Sequence, residues 1–563
     1  MKSSRGLSKS SLKILFDLAE PLGVKPASLV CMKLPCEEAA IRSTSGDSPC
    51  PPEYGPWILA ATILASSMAF IDSTVVNVAL PALQSAFHAT LTDVQWVVES
   101  YSLFLGALIL AGGSAGDLFG RRRVFLYGVV LFALASAACG VAQSIQQLVA
   151  ARTFQGIGAA LLTPGSLAII SASFPAHERG RAIGTWSGFT AITMAFGPVL
   201  GGWLIEHASW RWIFFINLPL AMAVIAISLW RVPESRGTVA KHLDVPGALL
   251  ITIGLGGLVY ALIESPGRGW GHPVVLGSLG IAIACLCVFP FVEMRSPFPM
   301  VPLEPFRSRV FTGANLLTLF LYAAIGAFFF LFPMNLIQVQ GYSATAAGAA
   351  GLPLILLMFV LSRWSGGLVA HLGPRLPLVV GPTIAAIGFS LFALPSVGGS
   401  YWTSYFPAFL VLGFGMAVSV APLTTVVMDS VSSERAGTAS GINNAVARVA
   451  GLLAIAVFGI VMVKAFALRL DHELARLEVS PQVRSEMQAN STRLAAIAIP
   501  SSVDPPSAGD LKFAISAAFI FAFRLVSCCC AGLALASALV ASVMISGRKA
   551  SQSPANGEAK KAA

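Results

Sequence analysis

Apolar stretches of about 20 residues recur along almost the whole chain, and each is long enough to cross a lipid bilayer as an α-helix. Of the 563 residues, 56% are hydrophobic and 11% are charged, whereas a soluble domain carries roughly 25% charged residues. Because backbone polar groups must be satisfied within the hydrocarbon layer, such stretches fold as helices. The chain is therefore predicted to be an all-α polytopic membrane protein, which excludes an ordinary soluble fold.

About fourteen membrane-spanning helices are predicted from these stretches. Their expected ranges are 57–80, 94–116, 124–142, 145–171, 182–205, 213–230, 245–263, 274–291, 311–336, 347–368, 376–395, 405–428, 438–463 and 514–545. Basic residues concentrate in alternate short loops, which indicates that those loops face the cytoplasm. We therefore expect both termini to be cytoplasmic and the protein to lie in the cell inner (plasma) membrane. The net charge of +10 follows from this bias, so no nucleic-acid partner is expected.

An internal repeat divides the chain. The stretch GSAGDLFGRRR (113–123) has a weaker counterpart, GGLVAHLGPR (366–375), in which Ala370 stands where the first copy has Asp117. Such duplication is common in transporters and predicts two six-helix bundles with two inserted helices between them. The expected divisions are a disordered cytoplasmic tail (1–54), the N-terminal bundle (55–231), the inserted helices (232–300), the C-terminal bundle (301–546) with an outer loop (466–510), and a second cytoplasmic tail (547–563).

Asp72 lies inside the first apolar stretch, in the sequence FIDSTVVNVALP (70–81). An ionised carboxylate in hydrocarbon costs several kcal/mol unless a partner, water or a proton relieves it. At 1.5 Å per residue, Asp72 lies roughly 22 Å along its helix, and Glu99 and Arg152 lie roughly 7–10 Å from the outer surface. The three side chains are therefore expected at a similar depth in the membrane.

This shared depth predicts a site for proton coupling and substrate binding. Burial favours the neutral form of a carboxylate and a nearby arginine favours its charged form, so a cavity that holds both can bind or release a proton. Asp72 is the first candidate, Glu99 the second, and Arg152 the partner that tunes them. The alternative is a static buried ion pair between Asp72 and Arg152, with Glu99 in contact with outer water.

Two further predicted helices carry small or polar residues in a regular pattern. Arg152, Gln155 and Gly156 share one helical face by their spacing, which predicts an inward face whose glycine admits a neighbouring helix. Gly197 and Gly201 form a small-xxx-small seam, and the adjacent Pro198 can kink its helix.

The loop stretch GDLFGRRR resembles the signature of the major facilitator superfamily, whose loop between spans two and three reads G-x-x-x-D-x-x-G-R-[RK]. The matching residues are Gly113, Asp117, Gly120 and Arg121, while Leu118 departs from the arginine that many members carry. The resemblance implies a gate in which this loop interlocks the two bundles.

The resemblance extends over about 57–546. LVAARTFQGIGAA (148–160) resembles the family's span-four motif, and GPVLGG (197–202), with Gly197, Pro198, Gly201 and Gly202, resembles a span-five signature of antiporters. FIDSTVVNVALP, SWRWIFFINLP (209–219) and AGTASGINNAVARVAG (436–451) are similar to the fourteen-span drug:proton antiporter branch. This implies a secondary active exporter of lipophilic, cationic compounds that works by alternating access.

Five more side chains are candidates for the lining of a central cavity, although hydrogen bonding and packing between helices would also explain them. They are Asn77, Tyr101, Gln155, Trp186 and Asn444.

Enzymatic activity is not expected, because the sequence has no Ser/His/Asp arrangement, no metal-ligand spacing and no GxxxxGK[ST] nucleotide-binding motif. Neither a cofactor nor a metal ion is predicted. The expected partners are a small-molecule substrate, protons and the lipid bilayer, and the need for a periplasmic adaptor stays open. Two alternatives remain: proton-coupled uptake of a metabolite, and a membrane sensor that does not transport.

Overall fold

The structure, a computed structural model, describes residues 52–237, 242–432, 435–477, 479–500 and 503–545. Within these ranges the regular elements are helices. Thirteen of them are long and apolar enough to cross a membrane, and a fourteenth apolar helix is shorter. The prediction of an all-α polytopic fold is therefore confirmed. The predicted C-terminal tail and nearly all of the predicted N-terminal tail lie outside the described residues.

Six helices form the N-terminal bundle, in which α4 packs between α2 and α3, and α1 packs against α5 and α6. They are α1 (Gly55–Phe87), α2 (Leu91–Phe119), α3 (Arg121–Val141), α4 (Ile145–Ser173), α5 (His177–His207) and α6 (Trp212–Arg231). Glycines bring these helices close together. A Cβ at Gly112 of α2 would lie 2.1 Å from the Ala160 carbonyl oxygen of α4, so only a residue without a side chain fits there.

Two inserted helices follow, α7 (Val245–Arg268) and α8 (Pro273–Arg295). They pack on each other, and α7 also contacts one helix from each bundle, α2 and the helix Gly437–Leu474. An apolar cluster that includes Leu255 and Val259 fills this contact. One polar contact accompanies it, because the indole Nε1 of Trp96 on α2 donates to Glu264 Oε1 over 3.0 Å.

Six more helices form the C-terminal bundle, in which α11 packs against α12 and α14, and α9 packs against α13 and α14. They are α9 (Arg309–Val339), α10 (Ala344–Ser362), α11 (Arg375–Leu391), α12 (Phe406–Asp429), α13 (Gly437–Leu474) and α14 (Pro505–Met544). Phenylalanines fill the core of this bundle: the ring of Phe328 lies 5.0 Å from that of Phe332 and 4.5 Å from that of Phe392.

The predicted outer loop 466–510 begins and ends inside helices, because α13 continues to Leu474 and α14 begins at Pro505. Leu470 and Leu474 are fully buried and join a core cluster that also contains Met487 of the short helix Pro481–Ala489. This burial maintains α13 as a helix beyond its apolar span. The connecting loop is therefore shorter than its composition predicted.

The two bundles meet at the end of the molecule that holds the α1–α2 connection, here called the His88 end. Gln338 donates to Gln84 over 2.8 Å, and a Cβ at Gly202 of α5 would lie 2.2 Å from the Ala344 carbonyl oxygen of α10. Toward the opposite end, called the Arg121 end because it holds the α2–α3 connection, a Cβ at Gly184 of α5 would meet nothing within 4 Å. The glycine contacts between α5 and the other bundle therefore lie at the His88 end.

Candidate functional site

Asp72, Arg152 and Gln155 form a buried hydrogen-bonded network between α1 and α4. Arg152 Nη1 donates to Asp72 Oδ2, and the two side chains are 1% and 0% exposed. Gln155 Nε2 donates to Asp72 Oδ1 over 2.8 Å, while Gln155 Oε1 accepts from Arg152 over 2.7 Å. The structure thus brings together the first predicted carboxylate and its predicted arginine partner, and it adds an amide that touches both.

Helix α2 completes the surroundings of Arg152. A Cβ at Gly156 would lie 2.5 Å from the Tyr101 carbonyl oxygen, so this glycine lets α2 approach α4 closely. Arg152 Nε donates to the Val97 carbonyl oxygen over 3.1 Å, and its guanidinium carbon lies 4.2 Å from the centre of the Tyr101 ring. A carboxylate, an amide, a carbonyl and an aromatic face together stabilise this buried cation.

Tyr101 and Gln155, two of the predicted lining residues, are buried in this conformation, Tyr101 to 2% exposure and Gln155 to 0%, and their part in a cavity stays a prediction. The Tyr101 hydroxyl donates to the Ala69 carbonyl oxygen over 3.3 Å. The physical reason is that a buried ion pair needs polar and aromatic neighbours, and these two side chains supply them. They belong to the network and not to an open surface.

Two residues that sequence reasoning missed extend the network to α3 and α6. Gln155 Nε2 donates to Ser136 Oγ over 3.2 Å, and Asn217 Nδ2 donates to the same oxygen over 3.0 Å. Ser136 Oγ donates in turn to the Phe214 carbonyl oxygen over 2.8 Å. A serine in an apolar helix gives no sequence signal, but Asn217 stood inside the quoted stretch SWRWIFFINLP and could have been found there.

Glu99 lies apart from this network. It is 0% exposed, and both carboxylate oxygens are buried without a hydrogen-bond partner in the described part of the chain. The alternative that Glu99 meets outer water does not hold in this conformation, because the packing of α2 encloses the side chain. Glu99 is a buried carboxyl group with no cation beside it among the described residues.

The other three lining candidates occupy different settings. Asn77 is partly buried, and Trp186 Nε1 donates to Ser66 Oγ over 3.1 Å, which links α5 to α1. Asn444 is exposed on α13. Of these three, Asn444 has the most open side chain.

The α2–α3 loop is held by acidic side chains. Arg121 Nη2 lies 2.7 Å from Asp117 Oδ1, and Gly120 has a φ of +114°, a left-handed conformation that favours glycine. Glu234 accepts hydrogen bonds from the backbone nitrogens of Arg122 and Arg123 over 3.0 and 3.2 Å. Sequence reasoning missed Glu234, because it lies 112 residues after Arg122 in the chain and no local pattern connects it to this loop.

The loop's described contacts lie on the side of the N-terminal bundle. The Gly237 nitrogen donates to the Asp117 carbonyl oxygen over 3.0 Å, and a Cβ at Gly113 would lie 3.6 Å from Pro164 of α4. The interlock of two bundles through this loop, which the resemblance implied, stays a prediction.

The GPVLGG stretch of α5 lies between two neighbours. A Cβ at Gly197 would lie 2.7 Å from Thr74 Oγ1, and one at Gly201 would lie 2.4 Å from Val75, both on α1. Gly202 faces α10, and the Pro198 carbonyl oxygen would lie 2.1 Å from a Cβ at Gly348 of α10. One stretch therefore packs α5 against its own bundle and against the other bundle.

No group of three His, Cys, Asp or Glu side chains that could hold a metal ion occurs among the described residues. The described residues of the site supply a buried ion pair and buried hydrogen bonds.

Comparison with known proteins identifies the family. The family model described as Major Facilitator Superfamily matches residues 62–455. The multidrug resistance protein Stp of Mycobacterium tuberculosis is 37% identical over 427 residues, which cover 76% of this chain and 79% of that protein. The tetracenomycin C resistance and export protein of Streptomyces glaucescens is 36% identical over 411 residues, which cover 72% of this chain and 76% of that protein.

Solved structures show the same fold. The inward-facing, unoccupied crystal structure of a bacterial homolog to the human lysosomal transporter Spinster superposes with a TM-score of 0.62 at 18% identity and covers 90% of this chain and 100% of that one. The crystal structure of a D-xylose–proton symporter gives a TM-score of 0.56 at 15% identity, with 88% and 100% covered. The predicted resemblance is confirmed, and the chain belongs to the major facilitator superfamily of membrane transporters.

Proposed function

We propose that this protein is a secondary active exporter that exchanges protons for lipophilic compounds, cations included. The observation that carries the proposal is the carboxylate of Asp72, buried inside a membrane-spanning bundle and bound to Arg152. Intramembrane ionisable residues usually mark ion or substrate pathways. The names of the two relatives, a multidrug resistance protein and a resistance and export protein, support export as the direction.

Protonation of Asp72 has a large effect on the stability of the N-terminal bundle, because of the network around it. When Asp72 takes up a proton, Arg152 loses its counter-charge, and a buried cation without its partner costs about 3–5 kcal/mol. A conformation that admits water or a substrate near Arg152 relieves that cost. Protonation of Asp72 therefore favours a different arrangement of helices from the deprotonated state, which is what exchange requires.

Glu99 is the second proton carrier in this proposal. Removal of an unpartnered carboxylate from water costs several kcal/mol, and a bound proton removes most of that cost. Since Glu99 has no described partner, its charge state depends on whether the surrounding helices admit water. A movement of the helices that admits water would thus change the charge state of both carboxyl groups, that of Asp72 through Arg152 and that of Glu99 through its hydration.

Alternating access follows from the shape of the interface. At the His88 end, Gly202 and Gly348 let α5 and α10 touch, whereas a Cβ at Gly184, toward the Arg121 end of α5, would meet nothing within 4 Å. We assign the Arg121 end to the cytoplasm from its arginines, with both termini on that side and the protein in the cytoplasmic membrane. Release of the substrate requires the glycine contacts to separate while the Arg121 end closes.

The cavity between the bundles is the proposed binding region, with Asn77, Trp186 and Asn444 on its surface. The loop residues Asp117 and Arg121 are proposed to act as the gate at the cytoplasmic end.

The experiment measures proton movement in proteoliposomes with an acidic lumen. Addition of a lipophilic cation such as tetraphenylphosphonium should collapse the gradient through the intact protein and not through Asp72→Asn, because asparagine keeps the shape and loses the titration. Asp471→Asn is the matched control, since Asp471 is exposed at the end of α13, and it should behave as the intact protein does. Equal proton movement through Asp72→Asn would contradict the role of Asp72 in proton coupling. Accumulation of the compound by cells that carry the intact protein would show uptake and not export.

A further inference from the structure

Arg448 on α13 is a membrane-embedded arginine without a protein partner in the described part of the chain. Its side chain is partly buried, and its Nε atom is buried without a hydrogen bond. It makes no described hydrogen bond or ion pair, in contrast to Arg152, which makes both. A guanidinium is permanently charged, so Arg448 keeps its charge in every state of the transporter.

The position of Arg448 is the seam where the two bundles face each other. A Cβ at Gly106 of α2 would lie 3.5 Å from the Arg448 Cβ, and one at Gly441, two turns earlier on α13, would lie 3.1 Å from Leu110 of α2. The arginine therefore lies on the wall of the interface that faces α2, with its Cβ opposite Gly106, five residues along α2 from Tyr101.

Arg448 does not face lipid. Leu452 and Ala456 of α13 belong to the apolar cluster that packs on the inserted helix α7, and the seam with α2 lies beside that cluster. Asn444 precedes Arg448 by four residues, shares its helical face, and is exposed. The face that carries Asn444 and Arg448 is thus directed into the space between the bundles.

Neighbouring groups do not satisfy this charge. Asp72 is already bound by Arg152 and Gln155, and the Tyr101 hydroxyl donates to the Ala69 carbonyl oxygen. Glu99, the acidic group of α2 in this region, makes no hydrogen bond with a described residue and forms no described ion pair with Arg448. A cation kept at membrane depth without a counter-charge is costly, and such residues usually mark the path of a substrate or ion. An anion that enters and leaves the space between the bundles can supply the counter-charge for Arg448.

We propose that Arg448 binds the anionic oxygen group of a substrate, so that the exporter accepts lipophilic organic acids, carboxylates or phenolates, in addition to cations. This inference rests on the proposed export function and assigns it a second substrate class. The apolar body of the acid lies among the helices of the interface, and its oxygen atoms accept hydrogen bonds from the guanidinium. Arg448 is then a residue that sets substrate specificity.

The test uses three fluorescent probes that share one aromatic body and differ at one end: pyrenebutyrate, pyrenebutyramide and pyrenebutylamine. At neutral pH these are an anion, a neutral molecule and a cation. Their affinities for the purified full-length protein are measured by equilibrium dialysis in detergent, with protein-free micelles subtracted. We expect Arg448→Gln to weaken pyrenebutyrate binding about tenfold, or ~1.4 kcal/mol, and to leave the other two probes unchanged.

Arg524→Gln is the matched control. Arg524 is a second arginine in a membrane helix, but its Nη2 atom donates to the Leu394 and Pro395 carbonyl oxygens over 3.1 and 3.0 Å. Its replacement should leave all three affinities unchanged. Asn444→Asp is a second variant that keeps Arg448 and places a carboxylate one turn away, so it should also weaken pyrenebutyrate alone. It decides the question if Arg448→Gln fails to fold.

Three results would overturn the inference. The first is no saturable binding of pyrenebutyrate to the intact protein. The second is an equal loss of affinity for all three probes in folded Arg448→Gln and Asn444→Asp. The third is a loss of pyrenebutyrate affinity in Arg524→Gln that equals the loss in Arg448→Gln. Because dialysis uses no proton gradient, the inference can hold if Asp72 proves uncoupled, and it can fail while proton exchange is demonstrated.

Discussion

The two six-helix bundles each carry an arginine inside a membrane-spanning helix, and they treat it in opposite ways. In the N-terminal bundle, Arg152 binds Asp72, Gln155 and a backbone carbonyl. In the C-terminal bundle, Arg448 has no such partner among the described residues. In the N-terminal bundle, Asp72 balances the charge of Arg152, so that a proton on Asp72 changes this balance. In the C-terminal bundle, the charge of Arg448 is open to a group that enters the interface.

The two copies of the repeated loop also differ in their charged contacts. The first copy carries Asp117 and is capped by Glu234, whereas the second carries Ala370 and turns at Gly373, with a φ of +77°. The acidic side chains that fix the first loop have no counterpart in the second copy's sequence. Four pairs of substitutions test this contrast, each of which compares a contact of the N-terminal bundle with a contact of the C-terminal bundle.

The largest difference is expected between Arg152→Met and Arg448→Met. Loss of Arg152 leaves the buried Asp72 carboxylate without a counter-ion, so the free energy of unfolding should fall by about 3–5 kcal/mol. Loss of Arg448 removes a charge without a described partner and should leave stability equal or higher. Chemical denaturation of both variants in one detergent measures this. Equal losses would show that Arg448 has a structural partner after all.

A smaller difference is expected at the Arg121 end. Glu234→Ala removes an acceptor that two backbone nitrogens share, and should cost about 2–3 kcal/mol. Glu304→Ala breaks an ion pair with Arg435 in which the glutamate side chain is 63% exposed, and should cost less than about 1 kcal/mol. The same denaturation assay applies. A greater loss from Glu304→Ala would contradict the view that the first loop is the more firmly held.

Next come the uncharged hydrogen bonds of each core. Ser136→Ala leaves the Gln155 and Asn217 amides without an acceptor they share and should cost about 1–2 kcal/mol. Asn443→Ala removes a donor to Thr318, which lies 2.7 Å away and also donates to its own helix, so about 0.6 kcal/mol is expected. Thermal unfolding followed by circular dichroism would rank the two, and the reverse order would refute the contrast.

The smallest effect is expected at the helix starts. Asp93 of α2 accepts from the Thr90 nitrogen and hydroxyl over 2.8 and 2.7 Å, so Asp93→Asn should lower the unfolding temperature more than Asp504→Asn at the start of α14.

The Asp504 cap also carries a pH dependence. Hydrogen bonds from Ser507 hold the pKa of the Asp504 carboxyl below its ordinary value. Since the folded pKa is below the unfolded one, the stabilisation is present above pH ~4 and is lost as the pH falls further. The difference between the protein and Asp504→Asn should therefore shrink below pH ~4. A difference that grows on acidification would contradict this assignment.

Sequence reasoning located the fold because membrane helices leave a signal in every span: apolar length, basic loops and a repeat. It also paired Asp72 with Arg152, since the rise per residue gives the depth of each side chain. Depth does not give rotation about the helix axis. That is why the separation of Glu99 from the Asp72 network was not predicted, and why Ser136 and Asn217 joined the network only once the facing helices were known.

The inserted helices have a consequence for how far the molecule can move. Helix α7 is fastened to α2 by the bond between Trp96 and Glu264, whereas its contact with α13 is made of apolar side chains such as Leu255 and Leu452. Apolar surfaces have no directional bonds to break, so α13 can slide where α2 cannot. We therefore expect the inserted pair to keep its contact with the first bundle while α13 shifts along it during a transport cycle.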